Sequence, residues 1–114
     1  MSELATLTWT VGLYTYNPED ETQYVVEATG GTIKLCQPDV IKKIEEIVSS
    51  VGNIVTACRG QGYVLSVEPE SSNSWLIRCG IMKANITIDG VNDVALLQDV
   101  RSKIEEVLGY EQKA

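Results

Sequence analysis

The sequence contains no histidine and no phenylalanine. Histidine is the side chain that most often moves protons near neutral pH. Its absence removes the Ser-His-Asp and Cys-His arrangements and most transition-metal sites. Catalysis would have to rest on carboxylates, lysine, tyrosine or a thiolate, and these form no familiar constellation in the chain. Without phenylalanine, the interior must be filled by Ile, Val, Leu, Trp and Tyr. No stretch approaches the roughly 20 consecutive apolar residues of a membrane-spanning helix. Basic residues are also scarce: nine Lys and Arg stand against sixteen Asp and Glu, a net charge of −7 with a pI near 4.5. A phosphate backbone or an anionic membrane surface would be repelled by that balance, so neither nucleic acid nor membrane is expected as a partner. A basic protein partner, a cation or simple solubility remain compatible with it.

The three cysteines, Cys36, Cys58 and Cys79, lack the close paired spacings of a metal or disulfide framework. Residues 1–9 carry Glu3, no basic residue and no apolar core of a leader. The expectation is therefore a cytoplasmic chain with reduced thiols. Asn85-Ile86-Thr87 matches a glycosylation acceptor, and in such a compartment the match is accidental.

With 114 residues and 44% hydrophobic content, the chain reads as a single globular domain over residues 1–114, large enough to bury one core. Residues 4–16 alternate. Leu7, Trp9, Val11 and Leu13 share one face, and Thr6, Thr8, Thr10, Tyr14 and Tyr16 share the other, as in a half-buried strand. Residues 17–21 form a polar turn. Residues 24–29 and 32–36 read as two strands joined by a hairpin at Gly30-Gly31. Pro38 and Asp39 open a helix whose apolar stripe is Val40, Ile41, Ile44, Ile47, Val48 and Val51, with Gly52 as its stop.

Beyond it, residues 54–58 read as a short strand, residues 59–62 as a glycine-rich hairpin loop, and residues 63–68 as a strand ended by Pro69. Residues 75–88 are strand-prone with a change of parity, which predicts a bulge between Gly80 and Lys83. Asn92 is expected to cap a last helix, striped by Val94, Leu97, Val100, Ile104, Val107 and Leu108 and ended by Gly109.

The predicted fold is α+β: a mostly antiparallel sheet of about six strands with two amphipathic helices on one face. Asp39-Val40-x-x-Lys43-Ile44-Glu45-Glu46-Ile47 recurs as Asp99-Val100-x-x-Lys103-Ile104-Glu105-Glu106-Val107. One reading is a duplicated β-β-β-α unit. The other is that amphipathic helices draw repeatedly on the same residues.

Few strings suggest chemistry. Cys36, just ahead of the first helix, is the best nucleophile candidate, though a buried structural role is the expectation. Cys58 and Cys79 read as small core residues within strands. Arg59-Gly60-Gln61-Gly62 is followed by a strand rather than a helix, unlike a phosphate-binding loop. Asp89-Gly90-Val91-Asn92-Asp93 resembles the Gly-Asp-Gly-x-Asn-Asp element of haloacid-dehalogenase phosphatases and P-type ATPases, in which aspartates hold magnesium. The resemblance covers these five residues only, and the nucleophile motif of that family is absent. A strand-to-helix turn accounts for the string.

The expected function is a non-catalytic protein-interaction module, a small acidic regulator, inhibitor or adaptor that also associates with itself. No cofactor or metal is assigned to it. The expected contact is Tyr14 and Tyr16 on the polar face of the first strand, with Glu19, Asp20 and Glu21 in the turn that follows; tyrosine buries area at low entropic cost. One alternative is a small-ligand or calcium-like divalent-cation protein using the acidic turns around residues 17–21 and 89–93. A second is a thiol-dependent enzyme resting on Cys36.

Overall fold

The computed structural model describes residues 4–17 and 22–110. It is an α+β fold, a five-stranded antiparallel sheet with two helices. The strands are β1 (Leu4–Asn17), β2 (Thr22–Cys36), β3 (Ser66–Ser71), β4 (Ser74–Cys79) and β5 (Met82–Asp89). Helix α1 (Val40–Gly60) follows β2 after a short 3-10 turn, and helix α2 (Val94–Leu108) follows β5. The sheet order is β2-β1-β5-β4-β3, so β2 and β3 are its edges.

Alternation decides which face is buried. Ala5, Leu7 and Val11 of β1, Trp75, Ile77 and Cys79 of β4, and Met82, Ala84, Ile86 and Ile88 of β5 are buried together. Against them pack Val40, Ile44, Ile47, Val48, Val51 and Val55 of α1, and Val100, Ile104 and Leu108 of α2. Both helices thus cover one face of the sheet. The other face carries Thr6, Thr8, Thr10, Thr32, Thr87 and Ser74, residues that suit an uncovered sheet surface.

Gly30 and Gly31 do not form a hairpin; they lie in the middle of β2, opposite Thr10 and Trp9. Their reason is close packing. A Cβ on Gly31 would lie 2.9 Å from the Trp9 ring, and one on Gly30 would lie within van der Waals distance of the Trp9 backbone oxygen. The two expected strands are therefore one, and the count falls from about six toward five.

Gly52 does not end the first helix. Residues 54–58 are its continuation, because Val51, Val55 and Cys58 prolong the apolar stripe at helical spacing. A glycine inside a helix costs about 1 kcal/mol, less than is returned by burying Val55 and packing Ile54 and Cys58 against the core. The glycine-rich segment 59–62 is accordingly the end of α1 rather than a hairpin loop, and Gly62 there adopts a φ of +95°. The parity change in residues 75–88 is a turn, not a bulge: Cys79 pairs with Met82, and Gly80 takes a φ of +60° at the first of the two turn positions. Pro69 lies inside β3, which is tolerated because β3 is an edge.

The N-cap of α2 is Asp93 rather than Asn92. Its carboxylate accepts from the backbone N–H groups of Ala95 at 3.0 Å and Leu96 at 3.3 Å. Gly109, at φ +67°, closes the other end, where the Tyr110 N–H donates to the Glu105 carbonyl at 2.9 Å. The two similar nine-residue strings sit differently. Asp39 immediately precedes α1, whereas Asp99 lies inside α2, and two strands precede the first helix where three precede the second. They share two buried positions, Val40 and Ile44 in the first and Val100 and Ile104 in the second, and one i,i+3 ion pair each, Lys43–Glu46 and Lys103–Glu106.

Candidate functional site

The two edges of the sheet differ in kind. β3 has six residues, includes Pro69, loses register between Pro69 and Ser71, and exposes Glu68 and Glu70. These are the features by which sheets discourage further pairing. β2 has fifteen residues, and over positions 27–36 it pairs with β1 in unbroken register. Within that stretch no residue is buried, and there is no proline. β1 and β2 also run past the sheet: β5 begins at Met82 opposite Leu13, while β1 continues to Asn17.

The uncovered face presents a row of hydroxyls across four strands. Thr8 lies opposite Thr32 on one side and Thr87 on the other, and Thr87 lies opposite Ser74. The Thr8 and Thr32 Oγ1 atoms are 3.4 Å apart, and Ser74 Oγ and Thr87 Oγ1 are 2.9 Å apart. Thr87 Oγ1 also donates to Asn85 Oδ1 at 3.2 Å. These hydroxyls pair with one another.

Tyr14 lies on this face in a half-buried position. Its ring covers Gly12, where a Cβ would come within 2.6 Å, and Lys83 Nζ sits 5.0 Å from the ring centroid. The Tyr14 N–H donates to the Ile81 carbonyl at 2.8 Å, anchoring β1 to the β4–β5 turn. Glu19, Asp20 and Glu21 lie outside the described residues, as does the side chain of Tyr16, so only Tyr14 of the expected contact set is located.

Cys79 is a buried strand residue as expected, while the other two cysteines sit elsewhere than expected. Cys36 is exposed, at the junction of β2 and the 3-10 turn, rather than buried. Cys58 belongs to α1, not to a strand, and is half-buried; Cys79 is buried. Burial raises the Cys79 thiol pKa above its ordinary value, and the neighbouring Cys58 thiol adds to the effect. Cys58 also lines an open groove of about 400 Å³ with Leu13, Ile54, Ala57, Tyr63 and Ile81. A second groove, of about 310 Å³, lies between β2 and α1 and is lined by Ile33, Leu35, Asp39, Lys42, Lys43 and Glu46.

The acidic string at residues 89–93 is occupied with holding its own turn. Asp93 caps α2, Asp89 accepts from Asn73 Nδ2 at 3.3 Å, and Gly90 adopts a φ of +84°. Among the described residues there is no group of three or more acidic or cysteine side chains arranged to hold a metal ion, and no buried side-chain polar atom lacks a hydrogen-bond partner. No described helix is long and apolar enough to cross a membrane.

The feature sequence reasoning missed is the β2 edge itself. Reading Gly30-Gly31 as a turn divided it into two short pieces, and the only signal for continuity was Trp9, whose ring needs glycine opposite it. Compared with protein-family models, with curated proteins and with solved structures, the chain matches none.

Proposed function

We propose that this chain is a non-catalytic protein-interaction module that associates with itself, and that the β1–β2 hairpin, Tyr14 included, is its contact element. The observation that carries this reading is the contrast between the edges: β3 bears proline and carboxylates, while β2 runs unblunted through residues 27–36. An open strand of that length is a template for another strand, and its main-chain groups supply affinity without a catalytic or cofactor site. Against a net charge of −7, association needs a locally neutral surface; residues 27–36 hold one Glu and one Lys. Native mass spectrometry tests the reading. Masses at whole multiples of 12.5 kDa are expected; a bare monomer at every concentration contradicts self-association.

A second reading, a small-ligand protein, is favoured by the groove beside Cys58, whose lining is mostly apolar and includes the half-exposed Tyr63 and Ile81. A ligand held there would raise the melting temperature, because it binds only the folded state. A panel of small apolar compounds that leaves the melt unchanged removes this reading.

A further inference from the structure

We propose that the partner of β2 is the β2 strand of a second copy, paired antiparallel about a twofold axis through Gly31, so that two five-stranded sheets become one of ten. The proposal rests on the reading of the chain as a self-associating module and specifies its surface, orientation and register.

The free hydrogen-bonding groups follow from the strand pattern. The Tyr14 N–H bonds to Ile81, on the β5 side. In an antiparallel sheet the direction alternates residue by residue, so even-numbered residues of β1 turn toward β5 and odd-numbered ones toward β2. Leu7, Trp9 and Val11 lie opposite Ile33, Gly31 and Thr29, so these three residues of β2 bond to β1. Ala28, Gly30, Thr32 and Lys34 then turn their N–H and C=O groups outward. Two copies related by the twofold bring Gly30 opposite Thr32 of the second copy and Ala28 opposite its Lys34. Each of those outward groups gains a partner, and the contact closes at a dimer, as an isologous interface does.

Side chains fit this register on both faces. On the helix-covered face, Thr29 lies opposite Ile33 of the second copy, a pair of β-branched residues, and covers a side chain that is 38% exposed in one copy. Glu27 lies opposite Leu35 of the second copy. Leu35 borders the groove that Lys42 and Lys43 line. Lys43 already pairs with Glu46 at 3.4 Å, whereas Lys42 forms no ion pair among the described residues. The carboxylate of Glu27 is thereby brought to the free ammonium. On the uncovered face, Lys34 meets Ala28, so no like charges are opposed. Moving the axis to Gly30 would set Glu27 against Ile33 and lose the apolar pair.

Sedimentation of the full chain and of Thr32→Pro tests the surface. The Thr32 N–H points outward, so proline there removes no backbone bond within the chain, only the exposed 3.4 Å contact with the Thr8 hydroxyl, and an edge strand tolerates it. The expected result is a wild-type dimer and a Thr32→Pro monomer with an unchanged circular dichroism spectrum; Ala28→Pro, at an equivalent position, serves if the first variant unfolds. The register is tested by Thr29→Cys with Ile33→Cys in a Cys36→Ser background, where mild oxidation is expected to give a covalent dimer. A dimer that survives both proline substitutions, or that fails to cross-link, overturns this inference and leaves self-association standing. A monomeric wild type overturns both.

Discussion

The indole ring of Trp9 lies over Gly31, its cross-strand neighbour, with the Lys43 ammonium 5.6 Å from the ring centroid on the helix side. This contact joins the β2 edge to α1 and holds the glycine pair in a strand. Gly31→Ala would press a methyl group into the ring. It is expected to destabilise the protein by about 1–3 kcal/mol, the usual range for overpacking, in urea denaturation. At the tip of a hairpin the same change would not disturb Trp9 fluorescence; here it is expected to.

Gly52 tests the helix in the opposite sense. It lies in the interior of α1, and a Cβ there would meet nothing within 4 Å. Gly52→Ala is therefore expected to stabilise by up to about 1 kcal/mol and to raise the thermal midpoint. A lowered midpoint would mean that α1 stops at this residue.

These two glycines show how far the sequence could be read. The alternation of β1, the stripe of α1, the stripe of α2 from Leu97 onward, the turn at Gly90 and the α+β class follow from local periodicity, and the structure has them; Val94, expected in the α2 stripe, is exposed in the first turn of the helix. Gly30-Gly31 and Gly52 misled because glycine marks a turn or a helix end only when nothing longer-ranged constrains the backbone. At Gly31 the constraint is an aromatic ring on the adjacent strand; at Gly52 it is a stripe of valines continuing toward the core. The parity change at Gly80 had two local explanations, and only strand pairing selects the turn. Of the proposed contact surface, the position of Tyr14 on the uncovered face was legible from the alternation of the strand. The β2 edge was not, because edge position is a property of sheet order rather than of any residue.

The start of α2 distinguishes two adjacent candidates. Asp93→Ala removes the acceptor for the Ala95 and Leu96 N–H groups and is expected to cost about 1 kcal/mol. Asn92→Ala is expected to be nearly neutral. Equal losses for both, measured by chemical denaturation, would contradict the assignment of the cap.

The thiols should label in order of exposure, Cys36 first, Cys58 more slowly and Cys79 last, with mass spectrometry of peptides as the readout. The raised Cys79 pKa also makes stability depend on pH. The folded state keeps that proton longer than the unfolded chain does, so the contribution is whole below the unfolded thiol value of about 8.5 and is lost as pH rises through the folded value. The stability difference between wild type and Cys79→Ala is expected to shrink above that pH. A difference that is flat across the alkaline range would contradict it.

The most direct measurement is amide hydrogen exchange across β2 as a function of protein concentration. Because Ala28, Gly30, Thr32 and Lys34 turn their N–H groups away from β1, nothing among the described residues of one chain accepts a hydrogen bond from them. The account predicts that these four amides exchange slowly at high concentration and quickly on dilution, while Thr29, Gly31 and Ile33, bonded to β1, stay protected throughout. Rapid exchange of the four at every concentration would contradict a strand edge that binds another copy.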